Sequence, residues 1–231
     1  ELNRGPAVQL FGDAIVAMEP DKRLQADDRR GSNSWPIHIL DDKGQSVEMY
    51  LSPHLYILAS MNQADVSVEP LDVAFLRRFE PVVLVPDPER PRTILGAAGA
   101  AAALPPAPVT PGEVVEAAVR AWEFVNEQIA LGRGPDYRIG HGVFLADPAP
   151  PLTVQVAQRR ALGWWKQIAT HVNEVFFGDL VGIGIAFRAG IDIAGYRIVE
   201  TPYGQDQKQH LAAPELTEAA IYALLRRVAG A

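Results

Sequence analysis

Between residues 8 and 18, apolar side chains fall at Val8, Phe11, Ile15 and Met18, with Leu10, Ala14 and Ala17 beside them. That is a helical period with a wide apolar face. Residues 21–34 are charged and carry a glycine, and so read as loop. Two short β-prone runs, 35–40 and 45–51, flank Asp41-Asp42-Lys43-Gly44, which signals a hairpin. After Pro53, the run Leu55-Tyr56-Ile57-Leu58-Ala59 is almost wholly apolar, as expected of a central strand covered on both faces. A short helix over 71–78 and a second apolar strand over 82–85 complete a strand–helix–strand pattern, which predicts an α/β core.

Past residue 86 the pattern changes. Pro, Ala and Gly dominate up to 108, as in a linker with some helix in its alanine run. Thr110-Pro111-Gly112-Glu113 then has capping-box spacing with proline at the first helical position. Val114, Ala118, Trp122, Val125 and Ile129 continue that helix along one face, and Gly132 is placed to end it. Leu162, Trp165, Ile168, Val172 and Val175 mark another amphipathic helix, with Trp164-Trp165 expected in its core or on a docking face. Residues 181–200 alternate glycines with Ile, Phe and Tyr and read as short strands, and 214–228 read as a final helix. The expected organisation is an α/β core over 1–92, a linker over 93–109, a helical lid over 110–180 and a small α/β extension over 181–231.

Composition narrows the field. The chain has 231 residues, 48% of them hydrophobic, which suffices for one large or two modest cores. A net charge of -7 argues against a surface that coats DNA unaided. Zero cysteines exclude disulfides and thiolate metal sites and suit a reducing cytoplasm. The longest apolar run, 94–104, is glycine-broken and too short to span a bilayer, so no membrane is expected as a partner. The opening Glu1-Leu2-Asn3-Arg4-Gly5 has no Met and runs straight into motif-like residues, so it reads as a cut end.

A nucleotide-hydrolysing site of the P-loop class needs a phosphate-cradling loop, a carboxylate pair for Mg²⁺ and water, a polar sensor at a strand end and usually an arginine. No Gly-Lys-Ser or Gly-Lys-Thr occurs, so such a loop is expected upstream of Glu1. The later parts stand in order as Glu1-Leu2-Asn3-Arg4-Gly5, Leu10-Phe11-Gly12-Asp13, Met18-Glu19-Pro20-Asp21-Lys22-Arg23, Met61-Asn62-Gln63-Ala64-Asp65 and Leu71-Asp72-Val73-Ala74-Phe75-Leu76-Arg77-Arg78-Phe79. Tyr137-Arg138-Ile139-Gly140-His141-Gly142-Val143-Phe144 follows further on. These segments resemble the AAA+ NTPase subunit of McrB-type restriction systems over roughly residues 1–178. The family runs Asp-Glu-Ile-Asn-Arg, Phe-Gly-Glu, Met-Asn-Thr-Ala-Asp, a paired arginine before Phe, and Arg-Ile-Gly-His in its lid. Here Gln63 replaces the Thr, and Phe75-Leu76 shifts the residues ahead of the arginines.

The resemblance implies roles. Glu1 matches the Walker B glutamate that orients the attacking water, with Asn3 and Arg4 in supporting polar roles. Asn62 matches the sensor that holds water and the γ-phosphate. Arg77 and Arg78 match the pair that reaches a neighbouring subunit's nucleotide. Asp65 and His141 are candidates beside the nucleotide, although Asp65 better suits a cap on the following turn and His141 a hydrogen bond that locks the lid. No metal ligand set is expected within the chain, Mg²⁺ being held mainly upstream. The fold implied is the C-terminal half of a AAA+ core, a parallel sheet with a hairpin insert, then a lid and a small tail. The function implied is GTP or ATP hydrolysis by a ring, hexameric by analogy, that drives an endonuclease subunit of McrC type against foreign or modified DNA. A MoxR-like chaperone and a non-catalytic interaction module remain the alternatives. The hairpin over 35–51 is open to either inert surface or DNA contact.

Overall fold

The structure is a computed structural model that describes residues 5–61, 73–98, 103–190 and 195–231. The chain divides into two compact units, Glu1–Val83 and Leu84–Ala231.

In the first unit, α1 (Ala7–Phe11) and α2 (Ala14–Ala17) replace the single helix expected over 8–18. Gly12 breaks it with a φ of 46°, a left-handed value that glycine adopts without strain. The hairpin is present as β1 (Ile37–Leu40) and β2 (Ser46–Met49), antiparallel with Ile37 opposite Met49 and Leu40 opposite Ser46. Asp41 organises its turn, its carboxylate accepting from the Lys43 and Gln45 N–H groups. A short α3 (Val73–Leu76) precedes the arginine pair. Among the described residues the apolar core of this unit is small: Met18 and Phe75 are buried, with Phe11, Ile15, Leu51 and Phe79 packed against them.

The parallel sheet expected from the sequence is not found among the described residues, where both sheets are two-stranded antiparallel hairpins. The runs 55–59 and 82–85 are not strands, and Leu58 is fully exposed. A central strand exists only through ladders on both its edges. In place of a ladder partner, the Leu55 carbonyl accepts a hydrogen bond from Arg23 Nη1 at 2.7 Å.

The second unit holds most of the buried side chains. Its α4 (Glu89–Ile94) leads into α5 (Pro111–Gly132). Leu95, Ala97 and Leu104, within the stretch expected as linker, are buried in the same core as α5. The capping box forms as anticipated: Thr110 Oγ1 accepts from the Glu113 N–H, and the Glu113 carboxylate accepts from the Thr110 and Val109 N–H groups. Those two backbone donors hold the Glu113 carboxyl below the usual carboxylate range. Packed closely on α5 lie α6 (Val154–Val175) and α8 (Ile221–Ala229). Trp122, Phe144 and Trp164 meet edge to face, and Trp165 packs with Phe187 and Tyr196. Both tryptophans of the Trp164-Trp165 pair therefore belong to the core.

Beyond α6 the expected short strands over 181–200 give way to a helix, α7 (Leu180–Ala186). The glycines there are packing devices. A Cβ on Gly182 would collide with the Phe176 ring, and one on Gly184 would lie 2.9 Å from Ile198 Cδ1. The strands come later, as the antiparallel pair β3 (Arg197–Tyr203) and β4 (Asp206–Ala212).

Candidate functional site

In the first unit, motif segments far apart in the chain meet around α3. Phe75 stacks at a tilt against both Phe11 and Phe79, with ring centroids 5.4 Å apart in each pair. The aromatic contact joins the Leu10-Phe11-Gly12-Asp13 segment to the segment that carries the arginines. A cleft of about 350 Å³ lies beside it, lined by Met18, Pro20, Arg23, Leu55, Ile57 and Arg78 among others. The Met18–Arg23 motif, the apolar run before Asn62 and the arginine segment thus share one apolar recess.

The two arginines differ. Arg78 is turned inward: its Nε donates to the Ile15 carbonyl at 2.9 Å, and its Nη2 meets Glu19 Oε1 at 2.5 Å. A guanidinium fixed by a carboxylate and a carbonyl is a brace, and Glu19 supplies a carboxylate for it. Arg77 is exposed, and its side chain makes no hydrogen bond or ion pair among the described residues. Arg23 acts as a second brace, its Nε donating to the Met18 carbonyl. Glu1, Asn3, Arg4, Asn62 and Asp65 lie outside the described residues.

In the second unit, His141 stands at the start of a short 3₁₀ turn, His141–Phe144. Its Nδ1 accepts the Asp87 N–H at 3.2 Å, which ties this loop to the entry of α4. Just before it, the Ile139 backbone is gripped from α5. Asn126 Oδ1 accepts from the Ile139 N–H at 2.7 Å, and Asn126 Nδ2 and Trp122 Nε1 both donate to the Ile139 carbonyl at 3.0 Å. The sequence signal for this clamp is Asn126, a buried polar residue one helical turn after Trp122 on α5. A second feature missed is a charge cluster between α4 and α5. Arg92 Nε donates to Glu116 at 2.8 Å, its Nη2 to Glu123 at 2.7 Å and its Nη1 to Glu89 at 2.9 Å. Burial alone would lower the Arg92 pKa, but the hydrogen bonds and charges of Glu116 and Glu123 outweigh it and raise it.

No group of three or more His, Asp or Glu able to hold a metal ion occurs among the described residues. No described helix is long and apolar enough to cross a membrane.

The restriction-system setting of this chain rests on its sequence relatives. The chain is 28% identical over 189 residues, 78% of its length, to the "Type IV methyl-directed restriction enzyme EcoKMcrB subunit" of Escherichia coli (strain K12). It is 35% identical over 80 residues, 34% of its length, to the "Type II restriction enzyme BsuMI component YdiS" of Bacillus subtilis (strain 168). Its homologues are thus subunits of restriction enzymes, of McrB-like character. The matched stretches are 36% of the first relative's length and 23% of the second's, so the chain spans about a third of these relatives or less. No protein-family model matches the chain.

Proposed function

We propose that this chain is the part of a ring-forming AAA+ NTPase that carries the residues acting after the phosphate loop, and that the whole protein powers a DNA-cleaving partner. The ring hydrolyses GTP or ATP with Mg²⁺, and an endonuclease subunit of McrC type receives the work. Sequence kinship to restriction-enzyme subunits supports the setting, and the order of the motifs supports the chemistry. Within it Glu1 orients the attacking water, Asn62 holds water and γ-phosphate, and Asn3, Arg4 and Asp65 assist. When bound, the Mg²⁺ ion would neutralise charge on the phosphate oxygens. His141 locks the lid loop through Asp87.

The observation that carries this reading is the unequal pair of arginines. Arg78 is committed to Glu19 and Ile15, whereas Arg77 is exposed at the end of α3. A finger must reach a phosphate on another subunit, so its guanidinium has to be available, and a forked cation there neutralises transition-state charge. Arg77 is therefore the finger and Arg78 its anchor.

The test is steady-state hydrolysis by the intact protein. Arg77→Ala should cost on the order of 10³-fold in turnover with little change in nucleotide affinity. Arg78→Ala should instead lower thermal stability along with activity. Mixing Arg77→Ala with Glu1→Gln subunits should restore part of the activity, because some interfaces then pair an intact acid with an intact arginine. Unchanged turnover in Arg77→Ala, or mixtures that never recover, would overturn the trans mechanism.

A further inference from the structure

The ribbon formed by β3 and β4 has no role in the nucleotide reading. Its two seven-residue strands pair from Arg197 opposite Ala212 to Tyr203 opposite Asp206. At about 3.4 Å per residue, each strand is roughly 23 Å long. Only the base packs: Leu211 lies against the core and Ile198 meets α7 at Gly184. Every residue from 200 to 210 is exposed.

Alternation sorts its side chains into two unlike faces. On one, Glu200 accepts from Gln209 Nε2 at 3.0 Å, with Pro202 and Gln207 beyond them. The other carries Arg197, Lys208 and His210 with Thr201 and Tyr203, and Asp206 at the tip is its one carboxylate. Neither Arg197 nor Lys208 is ion-paired among the described residues. The Lys208 ammonium sits 4.2 Å from the centre of the Tyr203 ring, which is itself 66% exposed.

We infer that this ribbon is a duplex-DNA contact surface, with Arg197 and Lys208 on backbone phosphates and Tyr203 leading the tip into a groove. A two-stranded ribbon fits the major groove, and phosphate oxygens are natural partners for the exposed Lys208 and the half-buried Arg197. A protein-binding face would need an apolar centre, and this face offers only Val199, Ala212 and the Tyr203 ring. With a net charge of -7, the chain as a whole repels DNA. An affinity that depends on this ribbon is therefore separable from non-specific attraction. The inference rests on the restriction reading for the presence of DNA, but its test needs neither nucleotide nor a partner subunit.

The experiment is fluorescence anisotropy of a short labelled duplex titrated with the 231-residue chain at low salt. Saturable binding is expected, in roughly the 1–100 µM range that non-specific contacts give. The Arg197→Ala/Lys208→Ala double variant should weaken it about tenfold or more and lower the salt-dependence slope by about 2. Lys208→Arg should retain binding, and Lys208→Glu, an exposed change far from the packed base, should remove it while circular dichroism stays unchanged. No binding at low salt, or binding indifferent to both the double variant and Lys208→Glu, overturns the inference. So does a ribbon whose substitutions alter self-association by sedimentation but not DNA affinity. Failure here with intact nucleotide hydrolysis would leave the motor reading standing, and the reverse result would leave the DNA surface.

Discussion

Asn126 shows how much one polar side chain decides inside an apolar helix face. It is 5% exposed, and its amide serves both backbone groups of Ile139, with Trp122 adding a second donor to the carbonyl. Buried backbone groups need partners, and stranding one costs about 1–3 kcal/mol. Asn126→Ala strands the Ile139 N–H and leaves its carbonyl to Trp122 alone. The variant should therefore lose about 3 kcal/mol, read from the midpoint of urea unfolding. A loss below about 1 kcal/mol would mean that water enters and satisfies Ile139, and the clamp would then be incidental. The same scale explains why Arg77 and Arg78 could not be told apart in the sequence. Both are arginines at a helix end, and only the placement of Glu19 and the Ile15 carbonyl separates them.

At the scale of elements, hydrophobic periodicity was enough to find α5 and α6, and capping also fixed where α5 begins. Each has a long apolar face, and each begins with a threonine whose hydroxyl accepts an N–H three residues on. They were not enough for α7, where glycines suggested strand ends. Those glycines instead let α7 close on Phe176 and Ile198. The packing predicts that Gly182→Ala, a change that would raise helix propensity in an isolated peptide, destabilises the protein by about 1–3 kcal/mol. Differential scanning calorimetry reads this directly. A raised or unchanged Tm would show that Phe176 moves aside without cost. The runs over 55–59 and 82–85 failed for a different reason. Their apolar composition marks segments suited to burial, but a strand needs a neighbour, and none is present among the described residues.

At the scale of the whole molecule, the two units differ in how much core supports them. Leu84–Ala231 buries its aromatic cluster beneath α5, α6 and α8, whereas the described core of Glu1–Val83 rests on Met18 and Phe75. Stability follows apolar burial, at about 25 cal/mol per Å². The first unit should accordingly open at lower denaturant than the second. Limited proteolysis should leave a resistant fragment that begins near Leu84, identified by intact mass. A single cooperative unfolding transition with no such fragment would show that the units stabilise each other.

What residue order alone determined was the local and the ordered: the capped helix α5, the amphipathic helix α6, the first hairpin, and a succession of motifs that points to restriction-system relatives. Capping, periodicity and motif order are properties of neighbours in the chain, so they survive without coordinates. What only the tertiary structure decided was partnership. It broke the helix at Gly12, turned 180–186 into a close-packed helix, absorbed part of the expected linker into the core, and divided the arginines into a brace and an exposed cation. All but the break at Gly12 depend on which distant group arrives beside a residue. No local pattern encodes that arrival.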